Sequence, residues 1–363
     1  MDLANSVLEG DRLSLARLLT QVENETTDGR TALDALFAQT GKAHLIGVTG
    51  APGTGKSSLV NQLALHFRKE GKRVAIVAVD PSSPFTGGAV LGDRVRMKDL
   101  SGDPGVFIRS MASRGSIGGL AQTTASVVQV FDAAGYEIIM IETVGAGQSE
   151  VDIAKLAHTT LVVEAPGLGD DIQAIKAGIL EIADIIVINK ADRPGIESTE
   201  KALKSMLELA HPTQRVFRHH GALAPLPLSK LGEGDGLMES KSNVWFPPLQ
   251  RTIATEGKGI TELAGHIAKH DEYLHLSGDW AVREHARLQS ELDTALQSAL
   301  INQFREHLSE THFRQVMDQV FARNLSPLEA VKTLMNGNAA ASAVSELESH
   351  ETSHSVEKSR RKK

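Results

Sequence analysis

Residues 50–57 are Gly50-Ala51-Pro52-Gly53-Thr54-Gly55-Lys56-Ser57. They follow an apolar run, Leu45-Ile46-Gly47-Val48-Thr49, and precede Leu59, Leu63 and Phe67 at helical spacing. This is the pattern G-x-x-x-x-G-K-S in the strand–loop–helix setting that gives it meaning. Each residue type has a physical task there. Glycines let successive backbone N–H groups curl around a phosphate, and the helix start adds the positive end of its dipole. The Lys56 ammonium can reach β- and γ-phosphates, and the Ser57 hydroxyl can hold Mg2+. Ser58 follows in the first helical turn and is counted with the nucleotide-binding set. A glycine-rich turn with an accidental lysine would leave most of the eight positions unexplained. The stretch implies a bound nucleoside triphosphate.

Working outward, short apolar runs recur at 44–49, 73–79, 106–109, 137–142, 159–164 and 184–189, separated by amphipathic stretches. Runs unbroken by polar residues suit strands buried on both faces, and their alternation with helices implies parallel pairing. The expected fold is therefore α/β: a P-loop nucleotide-binding domain over residues 41–260, with a mostly parallel central sheet flanked by helices. Residues 1–40 carry Val7, Leu8, Leu13, Leu15, Leu18, Leu19, Leu33, Leu36 and Phe37 at helical spacing and read as an N-terminal helical extension. Residues 211–243, with Pro212, Pro225, Pro227 and Gly232-Glu233-Gly234-Asp235-Gly236, read as a long loop insertion. From 261 to 337 further helices carry Leu288, Leu292, Leu296, Leu300 and Phe304, then Phe313, Val316, Val320 and Phe321. Such apolar stripes need covering, so a partner subunit is expected on this region, with packing back onto the chain's own domain as the alternative. Residues 338–363 are small and polar, end Lys358-Ser359-Arg360-Arg361-Lys362-Lys363, and read as a disordered basic tail.

Composition narrows the class. The 363 residues carry a net charge of −7 with a pI near 6.1, which argues against a nucleic-acid partner. There is no cysteine, so disulfides, thiolate metal sites and thiol redox chemistry are excluded together. The first residues resemble neither a secretory signal nor a transit peptide, and no apolar run approaches the roughly 20 residues of a membrane span. A cytoplasmic protein without a membrane partner is the expectation.

The base is read by a second motif. Asn189-Lys190-Ala191-Asp192 stands at the end of the run 184–189, on the carboxyl edge of a parallel sheet. An aspartate carboxylate accepts from both N1–H and the exocyclic amine of guanine, a pair of donors that adenine lacks, which makes Asp192 the specificity residue. The loop around Thr252-Ile253-Ala254 is expected to complete the base site, with Ile253 and Ala254 as contacts. Asp80 and Glu142 end their own strands near the P-loop. Glycine-rich segments follow each, Gly87-Gly88 and Leu91-Gly92-Asp93, then Val144-Gly145-Ala146-Gly147-Gln148. Strand-end carboxylates suit Mg2+, and such loops can reorganise with the γ-phosphate. A third exit, Ala165-Pro166-Gly167-Leu168-Gly169-Asp170-Asp171, has on spacing alone no more than the look of a βα loop. His266 and His270 lie four apart, a spacing compatible with a metal, but with no third ligand evident they are expected on a solvated helix face. His219-His220 lies in the loop insertion with no assigned role.

These residues resemble one family: the MeaB/ArgK-type GTPases associated with methylmalonyl-CoA mutase, P-loop GTPases of the SIMIBI class and related to nickel-insertion GTPases. The likeness runs over residues 40–260 and more loosely into both helical ends, including Ser326-Pro327-Leu328-Glu329-Ala330. It is carried by Val79-Asp80-Pro81-Ser82-Ser83-Pro84, Thr86-Gly87-Gly88, Leu91-Gly92-Asp93, Phe107-Ile108-Arg109-Ser110, Glu142-Thr143-Val144-Gly145 and Gln148-Ser149-Glu150.

The resemblance implies roles: Lys56 and Ser57 on phosphate and Mg2+, and Asp80, Asp93 and Glu142 around the metal. Lys56, Asp93 and Glu142 are then the catalytic set. Asn189, Lys190 and Asp192 hold guanine, and Asp170, Gln173 and Lys176 form a switch facing a partner. It further implies a homodimer that binds GTP and GDP and serves an adenosylcobalamin-dependent acyl-CoA mutase, gating cofactor loading and protecting the enzyme. Two positions depart from the family pattern: the segment 211–243 is longer and more polar, and Ile253 stands where Ser is common. The alternatives are a nickel-site maturation GTPase and an ATPase or kinase linked to amino-acid transport.

Overall fold

A computed structural model describes residues 3–81, 97–100, 102–113, 119–143, 149–167, 180–210, 216–219, 222–225 and 244–336. The helices α1 (Leu3–Leu8), α2 (Arg12–Glu23) and α3 (Thr27–Leu36) come first. Then β1 (His44–Thr49), α4 (Lys56–Lys69), β2 (Val74–Pro81) and β3 (Val106–Ser113) alternate with α5 (Gly119–Ala133), β4 (Ile138–Thr143), α6 (Ser149–Leu156) and β5 (Thr159–Glu164). The sheet finishes with β6 (Ile185–Ile188), α7 (Ile196–Ala210) and, after a short hairpin of β7 (Val216–His219) and β8 (Ala222–Pro225), β9 (Leu249–Arg251). Helices α8 (Ile260–Ser277), α9 (Asp279–Glu306), α10 (Glu310–Phe321) and α11 (327–336) close the described chain.

The sheet order is β3-β2-β4-β1-β5-β6-β9, and all six pairings are parallel. This is the expected α/β architecture. The predicted runs fall on β1 to β6. The strand β9 is not among them, because Leu249-Gln250-Arg251 is too short and polar to stand out. Within the segment 211–243 the described residues form the antiparallel β7–β8 hairpin.

Strand periodicity sorts the core into two layers. Leu45, Ala75, Val77, Val79, Ile139 and Ile141 point to a core shared with α2, α3, α5 and α6. Their neighbours Ile46, Val48, Ile76, Ile138, Met140 and Leu161 point to the other face, against α4 and α8. Leu15, Leu18, Leu19 and Leu36 of the N-terminal helices are fully part of the first layer. Local chemistry fixes those helices. The Asp11 carboxylate accepts from the N–H groups of Leu13 and Ser14 to cap α2, and Thr26 caps α3 through Gly29 N–H. Arg12 of α2 donates to the Val106 carbonyl of the edge strand at 2.7 Å.

His270 departs from the sequence reading. It is fully buried rather than on a solvated face, with Nδ1 2.8 Å from Thr159 Oγ1. The helical spacing carries the signal for this: His270 falls on the apolar stripe of α8 with Leu263, Ile267 and Leu274.

The chain divides into two compact units within α9, Met1–Glu291 and Leu292–Lys363. In the second unit Val316, Ala330 and Leu334 form a small core with Phe304, Leu308 and Val320 packed against it. The same unit carries an apolar groove of about 1020 Å3, lined by Leu300, Ile301, Phe304, Phe313, Leu334 and Met335 among others.

Candidate nucleotide-binding site

The P-loop leaves the carboxyl end of β1, whose neighbours are β4 and β5. Gly50 has φ +139°, and a Cβ built there would lie 2.1 Å from the Val163 carbonyl oxygen, so only glycine lets the loop turn this close to β5. Gly55 has φ +94° and caps α4 with no side-chain hydrogen bond, so the first-turn amides of α4 face the loop uncapped by a side chain. That is the arrangement an anion needs. Thr54 and Lys56 are buried, whereas Pro52, Gly53 and Ser58 are exposed. The Lys56 ammonium donates to the carbonyls of Gly50 at 2.8 Å and Ala51 at 3.1 Å, which folds the side chain back across its own loop.

Ser57 Oγ donates to Glu142 Oε1 at 2.6 Å. Glu142 is the penultimate residue of β4 and is buried, and its backbone is registered with Val48 of β1 on one side and Ala78 of β2 on the other. A hydroxyl and a carboxylate brought together at the foot of a phosphate loop form a hard, all-oxygen donor set, and this fits Mg2+. The backbone of Asp80 lies one residue beyond Val79, which pairs with Thr143, so Asp80 and Glu142 lie near the carboxyl ends of adjacent strands. Beneath them the Thr143 hydroxyl donates to Thr49 Oγ1 at 3.2 Å, tying the root of the β4 loop to the root of the P-loop. Asp93, Asp170, Gln173 and Lys176 lie outside the described residues.

The guanine motif meets the P-loop directly. Asn189 Nδ2 donates to the Thr54 carbonyl at 2.8 Å, while its Oδ1 accepts from Thr252 Oγ1 and from the Ala254 N–H, each at 3.1 Å. Lys190 takes a left-handed φ of 58° and donates from Nζ to the Gly53 carbonyl at 2.5 Å. Ile253 N–H is bonded to the Lys258 carbonyl at 3.0 Å. The Asp192 carboxylate stands exposed at the edge of this cluster. The structure thus brings together Thr54, Lys56, Ser57, Glu142, Asn189, Lys190 and Ala254. Sequence reasoning missed the role of the Asn189 amide as the joint between loops, because nothing in its spacing says which way a turn asparagine points.

Comparison with known proteins follows this geometry. The family model described as "Methylmalonyl Co-A mutase-associated GTPase MeaB" matches residues 15–309. A protein of Pyrococcus abyssi named as a GTPase is 41% identical over 334 residues, covering 92% of this chain and 95% of its own. The GTPase ArgK of Escherichia coli is 32% identical, covering 90% and 92%. The mitochondrial methylmalonic aciduria type A homolog of Mus musculus is 30% identical, covering 92% and 78%. Among solved structures, one titled as a LAO/AO transport system kinase superposes with a TM-score of 0.61 at 25% identity, covering 92% and 95%. A match over most of the chain, with a P-loop and a guanine motif locked together at the carboxyl edge of the sheet, has one meaning: the chain belongs to the MeaB family of methylmalonyl-CoA mutase-associated GTPases.

Proposed function

We propose that this chain hydrolyses GTP as the chaperone of an adenosylcobalamin-dependent acyl-CoA mutase, assisting cofactor loading and protecting the enzyme. The observation that carries the reading is the match over residues 15–309 to a family described as methylmalonyl-CoA mutase-associated GTPases, beside a mouse relative named for methylmalonic aciduria. The protein works in the cytoplasm with GTP and GDP as ligands. Among the described residues no helix is long and apolar enough to cross a membrane.

In this reading the P-loop amides and the start of α4 hold the β-phosphate, and Lys56 swings from the Gly50 and Ala51 carbonyls onto the β- and γ-phosphates. Ser57, Glu142, Asp80 and Asp93 would hold Mg2+, which supplies positive charge against the phosphate oxygens. Asn189 and Lys190 keep the guanine loop and the P-loop at a fixed separation, and Asp192 accepts from the guanine edge. Gly50 to Ser58 with Ile253 and Ala254 complete the nucleotide contacts. Intrinsic turnover is slow in this reading and is stimulated by the partner. Asp170, Gln173 and Lys176 form the switch facing the mutase. Residues 261–337 form a homodimer contact, a role that suits the exposed Leu292, Leu296 and Leu300 of α9 and Phe321 of α10.

The test is phosphate release from GTP and from ATP, with and without a purified cobalamin-dependent acyl-CoA mutase. Expected are slow GTP turnover alone, faster turnover with the mutase, and negligible ATP turnover. Equal use of ATP, or fast turnover that the mutase leaves unchanged, contradicts the proposal.

A further inference from the structure

At the edge of the sheet opposite the P-loop, where the parallel strands begin, a polar and aromatic network is buried. His44 opens β1, His158 precedes β5 and Asp184 precedes β6. Six strand residues put this edge roughly 20 Å from the nucleotide loop. Helix α8 adds His270, and the first half of α9 adds Trp280, Arg283, Glu284 and Arg287.

A chain of hydrogen bonds fastens α9 to the sheet. Thr159 Oγ1 joins two rings, 2.7 Å from His44 Nε2 and 2.8 Å from His270 Nδ1. Arg283 donates to both oxygens of Asp184, at 2.7 and 2.8 Å, and to the His158 carbonyl at 2.8 Å. Asp184 also accepts from Thr160 N–H at 2.8 Å and lies 3.3 Å from His270 Nε2. Arg287 donates to Glu284 and Glu291, and Gln129 of α5 donates to Glu291. The Trp280 ring lies 3.8 Å from that of His158 and 5.9 Å from that of His44.

His158 shows what a proton would do here. Its Nδ1 accepts the Leu45 N–H at 3.2 Å, so in this geometry Nδ1 carries no hydrogen and Nε2 donates to Glu284 at 3.2 Å. Protonation of Nδ1 sets two donors against each other and breaks the bond to β1. His44 is likewise unsuited to charge. Burial, then the nearby His158, His270, Lys72 and His275, push its pKa down to about 3, with Asp271 of α8 3.7 Å from Nδ1 as a facing carboxylate. Burial lowers His158 as well, against the pull of Glu284 and with Arg287 and Arg283 reinforcing it. The acidic groups differ. Burial raises Glu284 and Asp184, but His158 and Arg287 hold Glu284 at about 2, and His270 and Arg283 hold Asp184 below its usual value. Burial raises Glu291 despite Arg287.

We propose that this network is a latch, holding the first half of α9 against the base of the nucleotide-binding sheet while His44 and His158 are uncharged and releasing it when they take up protons. The geometry separates the latch from the P-loop, so release leaves the nucleotide site assembled.

Both tryptophans of the chain sit in the network, Trp245 with its ring 4.7 Å from that of His270. The full chain carrying Trp245→Phe therefore reports Trp280 alone, and the unaltered chain checks its midpoint. Fluorescence is followed from pH 8 to pH 4 beside far-UV circular dichroism and GDP binding. The expected result is a red shift of Trp280 with a midpoint below the ordinary histidine value of about 6.5, helical signal retained and GDP affinity within roughly threefold. His44→Gln keeps a donor toward Thr159 but does not titrate in this range, and it should move the midpoint down by about one pH unit. A red shift that coincides with loss of helix and of GDP binding overturns the latch. So does a midpoint that His44→Gln leaves in place, or Trp280 emission unchanged across the range.

Discussion

The Asn189 side-chain amide donates to the Thr54 carbonyl across 2.8 Å, joining the turn after β6 to the P-loop 135 residues earlier. Its Oδ1 simultaneously holds Thr252 and Ala254. One buried side chain thus sets the distance between the loop that would hold phosphate and the loops that would hold the base. Asn189→Ala leaves three polar partners without that bond, at a cost of about 2 kcal/mol in the bound state. GDP affinity should fall roughly 30-fold by isothermal titration. An affinity within twofold of the unaltered chain would show that the joint does not govern binding.

Gly50 and Gly55 are limited by space as well as by φ. A Cβ at Gly50 meets the Val163 carbonyl oxygen at 2.1 Å, and one at Gly55 meets Asn189 Nδ2 at 2.4 Å. Backbone cannot yield as a flexible side chain can, so Gly50→Ala should lower the unfolding free energy by about 2–4 kcal/mol and abolish measurable GDP binding. Gly55→Ala displaces the Asn189 amide and should cost binding more than stability. Urea melts beside GDP titrations distinguish the two, and equal losses of stability would refute the distinction.

Much of this is legible in the chain. The runs at 44–49 and 159–164 coincide with β1 and β5, because strands buried on both faces are apolar without interruption. The P-loop and the Asn189-Lys190-x-Asp192 turn can be placed at strand ends for the same reason. The hidden parts are those whose signal is tertiary. Leu249-Gln250-Arg251 becomes a strand because β6 offers an open edge, not because of its own propensity. His44, His158, His270 and Asp184 are scattered over some 230 positions and meet only where α8 and α9 cross the start of the sheet. The polar surroundings and the lack of a third ligand direct His266 and His270 to a solvent face, although His270 lies on the apolar stripe of α8, and the pairing of Ser57 with Glu142 follows from the β1–β4 register, which no local pattern encodes.

The bond between Ser57 and Glu142, 2.6 Å long, bears on the proposed Mg2+ site. Ser57→Ala removes one hard oxygen and Glu142→Gln removes the charge that a small divalent cation prefers. Each should raise the Mg2+ concentration for half-maximal GTP hydrolysis at least tenfold, with Glu142→Gln also lowering the rate at saturating Mg2+ by roughly 100-fold. Mg2+ dependence unchanged in both variants would remove these residues from the metal site.

Asp192, the residue proposed to read guanine, is exposed. Asp192→Asn replaces an acceptor with a donor against the guanine N1–H and amine. The expected loss is about 3 kcal/mol, or roughly 100-fold in GDP affinity, with urea stability unchanged. Retained guanine preference over adenine would assign base selection to other groups.

Acid stability follows from His44. Its folded pKa of about 3 lies below the ordinary 6.5, so between these values the unfolded chain binds a proton that the folded chain excludes. Stability is complete above pH 6.5 and declines as pH falls toward 3. The decline from pH 7 to pH 5 is up to about 2 kcal/mol for this group. Urea midpoints at the two pH values should show it, and His44→Gln should flatten the slope. A steeper slope in the variant would contradict the assignment.

The central proposal, service to a cobalamin-dependent mutase, is tested most directly by capture. The purified chain, loaded with GDP or with a non-hydrolysable GTP analogue, is offered a lysate of its source cells, and the retained proteins are identified by mass spectrometry. The expected result is an adenosylcobalamin-dependent acyl-CoA mutase retained in one nucleotide state and depleted in the other. Its absence from both, with a different enzyme retained in a nucleotide-dependent way, would leave a MeaB-family GTPase with another client.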